Sequence, residues 1–146
     1  MLKIDFYILS EGDANTHFLF ACRLIEKAYR NQHRIYIHTG NLADAHRLDE
    51  MLWTYRDDSF LPHNLYGDGP EPAPPIQIGT DIVPDKHRDI LINLSYPVPA
   101  FFTQFKRILE IVPNDVELQT LSRENYRIYR SQGYDITTHK LQTIEL

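Results

Sequence analysis

Seven histidines, one cysteine and two adjacent acidic pairs are the side chains of this 146-residue sequence whose types could do chemistry. Metal chemistry would need ligands at fixed short spacings, yet His17, His33, His38, His46, His63, His87 and His139 are scattered, and no HxxxH, HxH or CxxC occurs. Cys22 lies within an apolar helical pattern and reads as core; a lone thiol forms no internal bridge, which points to a reducing compartment. Asp49-Glu50 and Asp57-Asp58 would suit acid–base work only if they converged, and neighbours in sequence point apart on a helix, so they read as a solvated acidic face. No Ser-His-Asp arrangement has local support. Phosphate binding would need small residues for close backbone approach. The first strand–helix loop, Leu9-Ser10-Glu11-Gly12-Asp13-Ala14-Asn15, offers one glycine and two carboxylates instead. The residues therefore carry no catalytic constellation, no metal set and no cofactor motif.

Two other groupings suit recognition rather than catalysis. Trp53, the only tryptophan, follows Leu48-Asp49-Glu50-Met51-Leu52 and precedes Ser59-Phe60-Leu61-Pro62-His63-Asn64-Leu65. Trp and Phe at a helix end and the loop after it suit a protein-interface anchor, or closure of the core beneath a long loop, which composition alone favours. The second grouping is Arg123, Arg127 and Arg130 on a helix over 114–132. At 100° per residue Leu118, Leu121, Asn125, Ile128 and Tyr129 form the expected core stripe, the arginines cluster opposite, and Gln119 and Tyr126 fall on the margin. Such a ridge can pair bidentately with a carboxylate and hold an apolar group beside it, or it is simply a solvated basic face.

The elements that would position these residues follow from periodicity. Residues 3–9 read as a strand, then Asn15 or Thr16 caps a helix running to about Asn31. Residues 34–38 form a second strand, and Asn41 or Asp44 starts a second helix. This β-α-β-α opening is the pattern of a parallel, helix-covered sheet. The middle is irregular: Pro70, Pro72, Pro74 and Pro75 force an extended connector, too short for a domain linker. Strands resume at Ile76-Gln77-Ile78 and at 89–94; Pro97 to Phe105 reads as a short helix and 108–112 as the last strand. Asn114 is the expected cap of the final helix, Glu117 its capping-box partner and Gly133 its stop.

Composition bounds the rest. With 42% hydrophobic and 24% charged residues the chain is neither disordered, collagen-like nor coiled coil. The length fits one domain over 1–146 that needs no metal or disulfide staple. No signal peptide is visible, and apolar runs fall far short of the ~20 residues that span a bilayer. A soluble cytoplasmic protein is expected. The net charge of −5 argues against general nucleic-acid binding. It is uneven: residues 1–117 carry 11 basic and 17 acidic side chains, while residues 118–140 carry 4 and 2. An acidic body with one basic helix points to a directed anionic contact near the C-terminus.

Taken together these segments resemble the chi subunit of the bacterial DNA polymerase III holoenzyme. The matching stretches are Arg47-Leu48-Asp49-Glu50 with Leu52-Trp53, Ser59-Phe60-Leu61-Pro62-His63-Asn64-Leu65, Gly67-Asp68-Gly69-Pro70, and Arg88-Asp89-Ile90-Leu91-Ile92-Asn93-Leu94. Val112-Pro113 and the run from Leu121 to Arg130 with Gly133 complete the series, in order along nearly the whole chain. The resemblance implies a three-layer α/β Rossmann-like domain with a mostly parallel sheet and no nucleotide-binding loop. It implies a non-catalytic accessory protein without cofactor or metal. Its partners would be the psi subunit, which joins it to the clamp loader, and the acidic C-terminal tail of single-stranded-DNA-binding protein, with DNA reached only indirectly and no membrane. Carried over by residue, Trp53 and Phe60 would face psi, and Val112, Arg123 and Tyr126 would bind the tail. Gln119 stands where a form of the family has lysine; Arg127 and Arg130 are placed to compensate for that charge. The competing readings are a small Rossmann-like nucleotide-binding enzyme without a standard phosphate loop, and direct single-stranded-DNA binding through the last helix.

Overall fold

A computed structural model of the chain describes residues 2–56, 60–67, 73–80, 84 and 88–141. The Asp57-Asp58 pair, Ser59, the Asp68-Gly69-Pro70 segment, Pro72 and His87 lie outside the described residues. Strand β1 (Lys3–Leu9) leads into helix α1 (Ala14–Arg30), β2 (Ile35–Thr39) and α2 (Leu42–Thr54). Three strands follow, β3 (His63–Leu65), β4 (Ile76–Gly79) and β5 (Ile90–Leu94), then β6 (Arg107–Val112), α3 (Val116–Ser131) and β7 (Ile136–Leu141).

The seven strands form one sheet in the order β3-β4-β2-β5-β6-β1-β7, and every pairing is parallel rather than most of them. Strand pleating explains the layers, because successive side chains face opposite sides. Leu9, Ile35, Ile37, Ile90, Ile92 and Ile111 face the side covered by α1 and α2. Ile4, Phe6, Tyr36, Leu91, Ile108 and Val112 face the other side, with Tyr129 of α3 and with Phe102 and Phe105. Strands β2, β4 and β5 are buried along their full length, with His38, Thr39, Gln77 and Asn93 as buried polar residues among isoleucines and leucines. This is the expected three-layer Rossmann-like α/β architecture.

Local details depart from expectation. Asp13, not Asn15 or Thr16, caps α1: its Oδ1 accepts from the N–H groups of Asn15 and Thr16 at 3.0 and 3.3 Å, and the Thr16 hydroxyl closes the box by accepting from Asp13 N–H at 3.1 Å. Of the two candidates for α2, Asn41 caps, its Oδ1 accepting from Asp44 N–H at 2.8 Å. Helix α3 starts one residue later than expected, with Asp115 as cap in place of Asn114, so Glu117 is not its box partner. Gly133 ends the helix at φ 86°, as its freedom from a Cβ predicts. The expected helix from Pro97 to Phe105 is a single 3-10 turn at Phe102–Gln104, since Pro99 disfavours helical backbone at the preceding Val98. Strand β6 is not the last: β7 adds a parallel edge beyond β1, and the irregular middle contains the three-residue β3.

Candidate functional site

Helix α3 crosses the sheet over β6, and a cavity of about 300 Å³ opens between them. Phe6 and Ile8 of β1 lie two residues apart and so face the same side, giving the apolar floor with Val112 at the end of β6. Gln119, Ser122, Arg123 and Tyr126 come from α3 at helical spacing, and Thr138 of β7 closes the edge. The Tyr126 ring meets Phe6 edge-on, with centroids 5.3 Å apart. Val112, Arg123 and Tyr126 therefore line one cavity, as does Gln119.

The arginines divide. Arg123 is exposed at the cavity and pairs with no carboxylate among the described residues. Arg130 Nη1 donates to the Tyr126 hydroxyl at 3.4 Å, and the same two residues line an adjoining hollow with Tyr134 and Ile136. Arg127 lines neither space; it pairs with Glu124 along the exposed helix face. An apolar slot, a guanidinium free to make a bidentate pair and a second cation about two helical turns away suit an acidic peptide with an apolar end.

A buried polar cluster fixes α3 from beneath. Glu110 of β6 is 2% exposed, and its Oε2 accepts from the Tyr129 hydroxyl at 2.6 Å and from the Asn93 amide at 2.8 Å. Burial raises the Glu110 carboxyl to about 7, against the opposing pull of those two donors. Asn125 donates to the Ser95 carbonyl at 3.1 Å. The buried face of α3 is accordingly Ser122, Asn125 and Tyr129, whereas Leu121, expected in the core, is 42% exposed and Leu118 and Ile128 are half-buried.

Trp53 and Phe60 form a second surface. They are 53% and 67% exposed, with ring centroids 5.8 Å apart, so they do not close the core. His63 positions them: its Nδ1 lies 2.6 Å from the Leu61 carbonyl and its Nε2 3.0 Å from the Asp49 carbonyl, tying the loop to α2, and the Trp53 ring packs on it at 4.4 Å. Because α2 and α3 cover opposite faces and lie toward opposite edges of the sheet, the two surfaces are well separated. Cys22 is fully buried and burial pushes its thiol up to about 12, which leaves it without nucleophilic character. Among the described residues no group of three His, Cys, Asp or Glu could hold a metal, and no helix is long and apolar enough to cross a membrane.

Sequence reasoning missed Phe6, Ile8, Ser122 and Thr138 as cavity residues. The alternation of β1 was a usable signal for the first two; Thr138 depends on β7, whose pairing no local pattern announces.

The family model described as DNA polymerase III chi subunit, HolC, matches residues 1–137. DNA polymerase III subunit chi of Pseudomonas aeruginosa is 36% identical over 144 residues, covering 99% of this chain and 100% of the relative. The proteins of the same name from Haemophilus influenzae and Escherichia coli are each 35% identical, covering 94% of this chain and 96% and 97% of theirs. Among solved structures, T4 UvsW superposes with a TM-score of 0.65 at 8% identity, covering 96% of this chain and 41% of that one, a likeness of fold alone. With the family model matched from the first residue to β7, and relatives aligned over nearly their whole length, the chain belongs to the family of DNA polymerase III chi subunits.

Proposed function

We propose that the chain is a non-catalytic, cytoplasmic accessory subunit that couples the clamp loader to protein-coated single-stranded DNA. Its Trp53–Phe60 surface docks the psi subunit, and its α3 cavity takes the acidic C-terminal tail of single-stranded-DNA-binding protein. The supporting observation is that Val112 at the end of β6 and Arg123 and Tyr126 of α3, different in type, meet in one cavity of about 300 Å³ that has an apolar floor and one unpaired guanidinium. Arg123 pairs with the terminal carboxylate of the peptide, Val112, Phe6 and Tyr126 hold its last apolar side chain, and Arg130 attracts upstream aspartates over a longer, screened range. Arg127, engaged by Glu124, contributes only to the field. Gln119 supplies an uncharged hydrogen-bonding rim, so affinity leans on Arg123.

Isothermal titration with a tail peptide, free or amidated at its C-terminus, against wild type and Arg123→Ala gives a double-mutant cycle. Amidation should abolish most of the affinity of wild type and cost little more in Arg123→Ala. Equal costs in both backgrounds would show that the two groups do not pair.

A further inference from the structure

His63 lies beneath the Trp53–Phe60 surface with its side chain wholly out of solvent. It opens β3, the short edge strand in which His63 to Leu65 pair with Ile76 to Ile78 of β4. The chain just before it turns Leu61 into the core, at 3% exposure, and leaves Phe60 outside. Each ring nitrogen of His63 meets oxygen. Nδ1 lies 2.6 Å from the Leu61 carbonyl oxygen, and Nε2 lies 3.0 Å from the Asp49 carbonyl oxygen and 3.2 Å from Asp49 Oδ1. A carbonyl oxygen only accepts, and so does an ionised carboxylate.

A neutral imidazole has one N–H and one bare nitrogen. With the proton on Nε2, the Nδ1 lone pair would face the Leu61 oxygen at 2.6 Å, a distance that needs a hydrogen between the two atoms. With the proton on Nδ1, the Nε2 lone pair would face both Asp49 oxygens. The imidazolium, a donor at both nitrogens, satisfies all three contacts at once. A buried cation needs a countercharge, and the Asp49 carboxylate supplies one. Among the described residues no other charged group meets the ring: its own loop offers the Leu61 carbonyl, and β4 offers Ile76 as its strand partner. Trp53 follows Asp49 by four residues and so shares its face of α2. Its ring centroid lies 4.4 Å from that of His63, and an aromatic ring so close attracts a cation.

We infer that His63 is a positioning residue for the Trp53–Phe60 surface, an imidazolium that clasps the Leu61 carbonyl, the Asp49 carbonyl and the Asp49 carboxylate and so holds both aromatic rings in their outward pose. It rests on the psi-docking reading only for the partner that uses this surface. Loss of one ring proton breaks one side of the clasp. If Nδ1 is bared, the loop bearing Phe60 is released from the ring; if Nε2 is bared, the tie to α2 beside Trp53 goes. In either case the two exposed rings, with centroids 5.8 Å apart, lose their common support. Docking therefore weakens as the proton leaves. The α3 cavity, on the opposite face of the sheet, does not respond.

Ring-nitrogen NMR of the isotope-labelled full chain, with pH raised from about 5 until the proton is lost, reads His63 directly. Fluorescence of Trp53, the sole tryptophan, reads the contact, because an imidazolium quenches a neighbouring indole more than a neutral ring does. Both His63 nitrogens should be protonated at about pH 5, and Trp53 emission should rise in step with the loss of that proton. Psi affinity, titrated at each pH, should fall about tenfold over the same step, while tail affinity holds. His63→Gln, whose amide donates at one end only, should bind psi about tenfold more weakly at about pH 5 and show no step, with wild-type amide shifts outside α2 and β3. Asp49→Asn keeps the backbone carbonyl without the charge and should surrender the ring proton at lower pH than wild type. A bare ring nitrogen at about pH 5, emission or psi affinity indifferent to the proton, or an unmoved step in Asp49→Asn would each overturn the inference. Failure of wild type to bind psi would overturn the docking reading instead, and the ring spectra and emission, which need no partner, would still decide the clasp.

Discussion

Two buried titratable residues impose opposite pH dependences on stability. Glu110 is raised from 4.5 to about 7, so the folded state holds a proton that the unfolded state releases, and this contribution falls as pH rises through that window. His17 is lowered from 6.5 to about 4, so the unfolded state binds the extra proton, and its contribution is lost as pH falls through that window. Wild-type stability should therefore vary little between about pH 4.5 and 6.5, where the two oppose each other. Urea unfolding checks this: Glu110→Gln should gain stability with rising pH there, and His17→Gln should lose it. Parallel curves for all three proteins would refute the assignment. Neither residue declares itself in the sequence, since a glutamate flanked by leucine and isoleucine reads only as an interruption until Asn93 and Tyr129 are brought against it.

At the scale of elements, α3 decides the cavity it lines with Gln119, Ser122, Arg123 and Tyr126, and its ends decide α3. Asp115→Ala should cost about 1 kcal/mol in chemical denaturation, the usual worth of a cap, while Asn114→Ala should change stability little. The reverse order would restore the sequence-based cap. Aspartate and asparagine one residue apart have near-equal cap preference, so composition could not choose between them; backbone geometry at the end of β6 did. Arg127→Ala should cost at most a few tenths of a kcal/mol, because its pair with Glu124 is exposed on both sides, and it should leave tail affinity nearly unchanged. The long strands and helices were legible from periodicity. The two edge strands were not: β3 is three residues long, and β7 exposes Thr137, Thr138 and Lys140 on a half-solvated ribbon whose hydrophobic signal is weak.

For the whole molecule, the arrangement at opposite edges and faces of one sheet predicts independent docking. Phe60→Ala should weaken psi binding by about 2 kcal/mol or more if Phe60 is an interface anchor, and should leave tail affinity unchanged. Arg123→Ala should do the converse, measured by titration of each partner with the other present and absent. Coupling beyond about 0.5 kcal/mol would mean that the sheet transmits between the sites. By itself the sequence determined the layered α/β class, the missing phosphate loop, the basic ridge and the likeness to one family. Those follow from local periodicity, from residue chemistry and from motifs that resemble a family. Only the tertiary structure decided that Trp53 and Phe60 face solvent, that Arg123 stands unpaired while Arg127 does not, and that three helix-start aspartates line one crevice. The Arg127 pair is a local contact three residues along one helix, but the crevice joins residues far apart in the chain, and a parallel sheet makes such contacts by crossovers whose order no local pattern encodes.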